Sequence, residues 1–202
     1  MTNWLLRTFI KNSDHPEDPK VRAAVGILSG IVGIFCNILL FGGKLAVGLL
    51  TRSVSITADA MNNLSDATSS VVTMLGFRLA ERPADEEHPF GHARYEYLSG
   101  LAVSALILII GVELGKSSLE KIIHPAAVEF SWVSVGVLLA SIAVKLWMAA
   151  FNVGLSKKIQ SATLMATAAD SRNDVITTAA VLVAALAEHF TAFQVDGYMG
   201  LA

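Results

Sequence analysis

The sequence predicts an all-α integral membrane protein: a six-helix transmembrane bundle of which five helices and the start of the sixth are present. Three observations carry that prediction. Hydrophobic residues make up 53% of the 202-residue chain, and the mean hydropathy is +0.57. Charged residues are only 16%, against roughly 25% in an ordinary soluble domain. The apolar residues also gather into runs of bilayer length, about 20 residues at 1.5 Å each for a hydrocarbon core of roughly 30 Å. That apolar excess makes membrane lipid an expected partner, and a net charge of −2 excludes a broad basic surface, so nucleic acid is not one. The single cysteine, Cys36, excludes an intrachain disulfide framework and reads as a packed thiol.

Residues 1–22 are polar, charged and proline-containing, and read as a cytoplasmic tail rather than a signal peptide. The transmembrane domain then covers 23–202. Its first helix is expected at about 23–50 and carries Lys44; Gly26, Ser29, Gly30 and Gly33 suit close helix contacts. The second, about 54–80, is the least apolar. The third covers about 95–122, the fourth about 130–155 with Lys145 inside it, and the fifth about 161–190. A sixth apolar segment starts near 195 and breaks off, so the chain reads as a fragment. Helices are expected throughout because backbone polar groups cannot stay unpaired in lipid, and no segment alternates like a barrel strand. Nine lysines and arginines fall in the tail and in the second and fourth connections. Only Arg52, Lys116 and Lys121 fall in the first and third. That bias puts the N-terminus in the cytoplasm.

Charged side chains at mid-membrane are costly, about 2.5–3.5 kcal/mol each on insertion scales, and need a reason. Asp59, Asn62, Asn63 and Asp66 follow an i, i+3, i+4, i+7 spacing along one stripe of the second helix. Asp170 and Asp174, four apart, share a face of the fifth. Two such helices can jointly wrap a dication with oxygens from Asn62, Asp66, Asp170 and Asp174. Three close carboxylates repel one another when the site is empty, and protons relieve that repulsion. Metal binding then expels protons, the coupling a metal/proton exchanger requires. Asp59, Asn63 and Asn173 read as supporting or pathway residues, with Lys44 or Lys145 a possible partner for Asp59. Lys44 and Lys145 themselves read as ion-paired or snorkelling.

The second connection holds Asp85, His88 and His92 within eight residues, a candidate secondary metal site or a structural turn. It is not a metalloprotease signature, because Pro89 and Gly91 disfavour the helix which that motif needs.

Three separated stretches together resemble the cation diffusion facilitator transporters. They are Ser55-Ile56-Thr57-Ala58-Asp59-Ala60-Met61-Asn62-Asn63-Leu64-Ser65-Asp66, then His88-Pro89-Phe90-Gly91-His92-Ala93-Arg94-Tyr95-Glu96, then Asp170-Ser171-Arg172-Asn173-Asp174-Val175. The resemblance implies a homodimer that exports a divalent metal in exchange for protons by alternating access. It places the transport site on Asn62, Asp66, Asp170 and Asp174 and the loop site on Asp85, His88 and His92. It also implies a C-terminal cytoplasmic domain, which is expected to be absent from this fragment. Zinc-exporting members usually place a histidine among the four site positions, and here there is none. An all-oxygen set is hard and suits Mn²⁺ first, then Fe²⁺, Zn²⁺ or Cd²⁺. The pattern looks like the manganese branch. No cofactor and no enzymatic activity are expected; the metal is the transported substrate. The expected location is the bacterial inner (cell) membrane. A secondary transporter of a small organic cation is the alternative, although aromatic residues are sparse near these aspartates.

Overall fold

The computed structural model describes residue 10 and residues 17–50, 54–86, 88–123 and 131–191, and every regular element among them is an α-helix. In chain order these are α1 (Pro19–Leu50), α2 (Val54–Ala80), α3 (Arg94–Ile123), α4 (Trp132–Ile159) and α5 (Ala162–Thr191). The segment expected to open a sixth helix near 195 lies outside the described residues.

Local chemistry explains where the helices begin and end. The α1 helix starts at Pro19, ahead of the apolar run at Ala23, because Asp18 caps it: its carboxylate accepts the Lys20 N–H at 2.9 Å. Proline suits the first helical position, where its missing N–H costs nothing. Ser131 caps α4 through the Val133 N–H. That helix closes at Gln160, whose backbone is left-handed (φ 49°) and donates to the Ser156 carbonyl. Lys157 and Lys158 in its last turn complement the helix dipole. The Ser161 hydroxyl then accepts the Leu164 N–H and opens α5.

The helices run 27 to 32 residues, so each exceeds ~40 Å at 1.5 Å per residue. By length and composition, α1, α4 and the Arg94–Glu113 part of α3 can cross a membrane. The α2 and α5 helices have the length but carry the polar residues of the site, which lowers their hydropathy. Large apolar side chains such as Ile31, Phe35, Leu39, Leu101, Leu108, Leu139 and Leu146 lie on the outside. Ser29, Asn37, Lys44, Asp66, Lys145 and Asn152 lie inside. A polar interior under an apolar coat is the arrangement that lipid favours.

The most extensive packing joins α1 to α2, followed by α4 to α5 and α2 to α3. The α1–α4 and α3–α5 contacts are smaller, and α2 meets α5 only sparsely. Glycines explain the tightest junction. A Cβ on Gly26 would fall 2.0 Å from the Phe77 ring, and one on Gly30 would fall 2.5 Å from Met74 Cβ. At the same end of the bundle, Val21, Val25, Phe77, Phe151, Leu155 and Leu164 form an apolar cluster. Arg22 clamps that end. Its Nε and Nη2 donate to the two carboxylate oxygens of Glu96 at 2.6 and 2.7 Å, and its Nη1 donates to the Ile159 carbonyl. One guanidinium thus ties α1 to α3 and to the end of α4.

Candidate metal centre

The stripe on α2 and the pair on α5 meet inside the bundle. One carboxylate oxygen from each of Asp66, Asp170 and Asp174 lies within 4.8 Å of the other two. Asp66 and Asp174 are buried, and Asp170 is half-buried. Opposite oxygens around a first-row dication stand about 4–4.4 Å apart at ~2.0–2.2 Å bonds, so a small contraction closes this set on an ion. Asn62 joins the cluster: its amide nitrogen donates to Asp174 Oδ1 at 3.3 Å. Asn63 is buried and donates to Asp66 Oδ2 at 3.3 Å, helping to fix that carboxylate.

The residue at the centre of the cluster is Lys145. Its Nζ lies 2.6 Å from Asp66 Oδ2 and 2.6 Å from Asp174 Oδ2, joining α2 to α5 through a side chain of α4. Ion pairing for Lys145 is expected from its sequence position, but a place inside the carboxylate cluster is not. The one signal is its isolation as a charged residue between Trp132 and Ser156 in an otherwise apolar helix.

The supporting residues separate. Asp59 pairs with Lys44, Nζ to Oδ2 at 2.8 Å, rather than with the carboxylate cluster. Asn173 is exposed and its backbone carbonyl accepts from Thr177, so it stands away from the oxygens that Asp170 and Asp174 turn inward. Adjacent residues on a helix point about 100° apart, which is why neighbours in sequence part company here.

Asp85, His88 and His92 also gather, with one ligand atom from each inside 4.8 Å. Asp85 Oδ1 accepts the His88 backbone N–H at 2.7 Å and sits 3.2 Å from His88 Nδ1; Asp85 Oδ2 is 3.4 Å from His92 Nε2. Gly91, at φ 77°, turns the chain so that its N–H reaches the His88 carbonyl at 2.9 Å. The His88 backbone N–H, followed by the two imidazoles, holds the exposed Asp85 carboxyl below the usual carboxylate range. His92 is buried, with Nδ1 at 3.0 Å from the Pro83 carbonyl. A proton on Nδ1 leaves the Nε2 lone pair free, as a ligating histidine requires.

A bundle whose described residues are helical, with an apolar exterior and carboxylates converging between two of its helices, defines an integral membrane protein with a buried carboxylate cluster. Residues 30–202 match the cation efflux transmembrane domain, and the chain belongs to the cation efflux family. It is 33% identical over 171 residues to an uncharacterised transporter of Methanocaldococcus jannaschii, covering 85% of this chain and 60% of the relative. The manganese efflux system protein MneS of Bacillus subtilis is 29% identical over 171 residues, 85% of this chain and 59% of that protein. A probable cation efflux system protein of Mycobacterium tuberculosis is 28% identical over 174 residues, 86% and 52% respectively. All three are named as transporters or efflux proteins. The chain spans about half to three fifths of the length of these relatives.

Proposed function

We propose that this chain is the transmembrane part of a proton-coupled divalent metal exporter, with Mn²⁺ its preferred substrate ahead of Fe²⁺, Zn²⁺ and Cd²⁺. The observation that carries the reading is the convergence of Asp66, Asp170 and Asp174, with Asn62 beside them, between two helices of a lipid-coated bundle. Every donor is a hard oxygen, a set that suits Mn²⁺ by ligand type, whereas raw affinity ranks Zn²⁺ above it. Selectivity therefore comes from geometry and coordination number. The manganese efflux relative supports the choice of metal.

In the mechanism, Mn²⁺ enters from the cytoplasm and displaces the protons held by the cluster of Asp66, Asp170 and Asp174, which need not be one on each carboxylate. Asn62 turns its amide so that the carbonyl oxygen faces the ion. Rocking of the helices then exposes the site outward, and external protons take the places the ion vacates. The protein works as a homodimer in the bacterial inner membrane with its N-terminal tail, 1–22, in the cytoplasm and a sixth helix starting near 195. Asp85, His88 and His92 hold a second ion at the cytoplasmic face.

Reconstituted proteoliposomes test this. Mn²⁺ flux driven by a proton gradient is expected to exceed Zn²⁺ flux, and Asp170→Ala is expected to lower it at least tenfold in a protein that still inserts and folds. Zinc flux without manganese flux rejects the manganese assignment. Full flux in Asp170→Ala removes that residue from the site.

A further inference from the structure

We propose that Lys145 is a tethered counter-ion that holds the place of the transported dication in the empty site, so that loading exchanges one cation for the other. This rests on the assignment of Asn62, Asp66, Asp170 and Asp174 as the transport site.

Three features of the structure lead to it. The first is position. Lys145 Nζ bridges one oxygen of Asp66 and one of Asp174, both at 2.6 Å, and the two residues belong to different helices. A first-row dication on those same two oxygens, at ~2.0–2.2 Å from each, would lie on top of Nζ or hard against it. Both cations cannot hold these oxygens together. The second is isolation. Lys145 is 2% exposed and its side chain is not a surface group reaching for water. With three carboxylates facing one another across 4.8 Å or less, an internal ammonium offsets repulsion that would otherwise drive α2 and α5 apart.

The third is a place to go. The lysine stem has four carbons and a freely rotating ammonium. A long side chain on a helix lies back over the residue one turn earlier. That residue is Ser141, whose Oγ is buried without a hydrogen-bond partner. A retracted ammonium finds one neutral acceptor there without leaving the interior, and the metal's bonds to the carboxylates must offset the two partners it gives up. Loading then trades the Lys145 bridge for metal bonds to the same oxygens, and release lets the lysine return and draw α2 and α5 together again. The residue touches the metal's ligands rather than the metal, and is a positioning residue.

Removing a unit positive charge from this distance strengthens cation binding and deprives the unloaded carrier of its bridge. Mn²⁺ binding is measured by calorimetry at fixed pH on the purified protein, and transport in proteoliposomes. Lys145→Met is expected to bind Mn²⁺ about tenfold tighter, to lower KM, and to lower maximal turnover. Lys145→Arg, which keeps the charge, is expected to bind no tighter than the parent. Unchanged or weaker binding in Lys145→Met overturns the proposal, as does equal tightening in Lys145→Arg. If Lys145→Met is less stable without metal, the rise in its unfolding midpoint with Mn²⁺ decides. A larger rise than the parent's supports displacement, and an equal or smaller rise overturns it. A folded parent that binds neither Mn²⁺ nor Zn²⁺ sinks the transport-site assignment instead.

Discussion

At the residue scale, burial decides what each charge can tolerate. Lys44 is 1% exposed and its partner Asp59 is 22% exposed in its side chain, so the two ends of that ion pair are unequal. Asp59→Asn strands a buried ammonium, a change that costs about 3–5 kcal/mol when one partner of a buried pair is removed. Lys44→Met leaves a carboxylate that is only partly buried, and the loss is smaller. Thermal unfolding in detergent is expected to rank Asp59→Asn below Lys44→Met, with the double substitution recovering part of the deficit. Much of the polar interior is legible from spacing alone. Asp170 and Asp174 share a helical face whatever surrounds them, and the stripe from Asp59 to Asp66 has the same property. Spacing within one helix is silent about which neighbour a side chain meets. Lys145 could have paired with Asp59 by that logic, and only the packing of α4 against α5 brings it to Asp174 instead. Asn173 shows the converse: adjacency to a site residue does not imply the same face.

At the element scale, hydropathy and length outline all five helices, because the bilayer imposes both. The ends are set by finer chemistry. Asp18 and Pro19 begin α1 before its apolar run, and the single loop residue between Gln160 and Ala162 separates α4 from α5. The glycines of α1 illustrate how packing overrides local preference. Alanine outranks glycine in a helix by about 1 kcal/mol, yet Gly26 faces a Phe77 ring that is 1% exposed and cannot retreat. Overpacking of this kind costs about 1–3 kcal/mol. Gly26→Ala is therefore expected to lower the unfolding midpoint. Gly42→Ala, where no atom stands within 4 Å of the new methyl, is expected to leave it level or raise it. A Gly42→Ala loss as large as that of Gly26→Ala would show that glycine itself, and not the close approach, matters on this helix.

At the scale of the whole molecule, four of the five described helices pack as two pairs. The α1 and α2 helices pack as one unit and α4 with α5 as another, while the carboxylate cluster lies on the sparse seam where α2 faces α5. Across that seam the hydroxyls of Thr73 and Thr167 stand 3.5 Å apart. Cysteines at these two positions, in a Cys36→Ser background, are expected to cross-link on oxidation and to stop Mn²⁺ flux, with full recovery after reduction. Flux that persists through complete cross-linking places the rocking motion elsewhere. The same seam is lined by side chains whose protons are already committed. Thr73 donates to the Ser69 carbonyl and Thr167 to that of Thr163, each one turn back on its own helix. Hydroxyls satisfied in this way do little to lock the two helices together, so the strongest bonds across the seam are those of the site, the Lys145 bridge and the Asn62–Asp174 contact. What sets the two halves in register is then the occupant of the carboxylate cluster, which in this structure is the Lys145 ammonium.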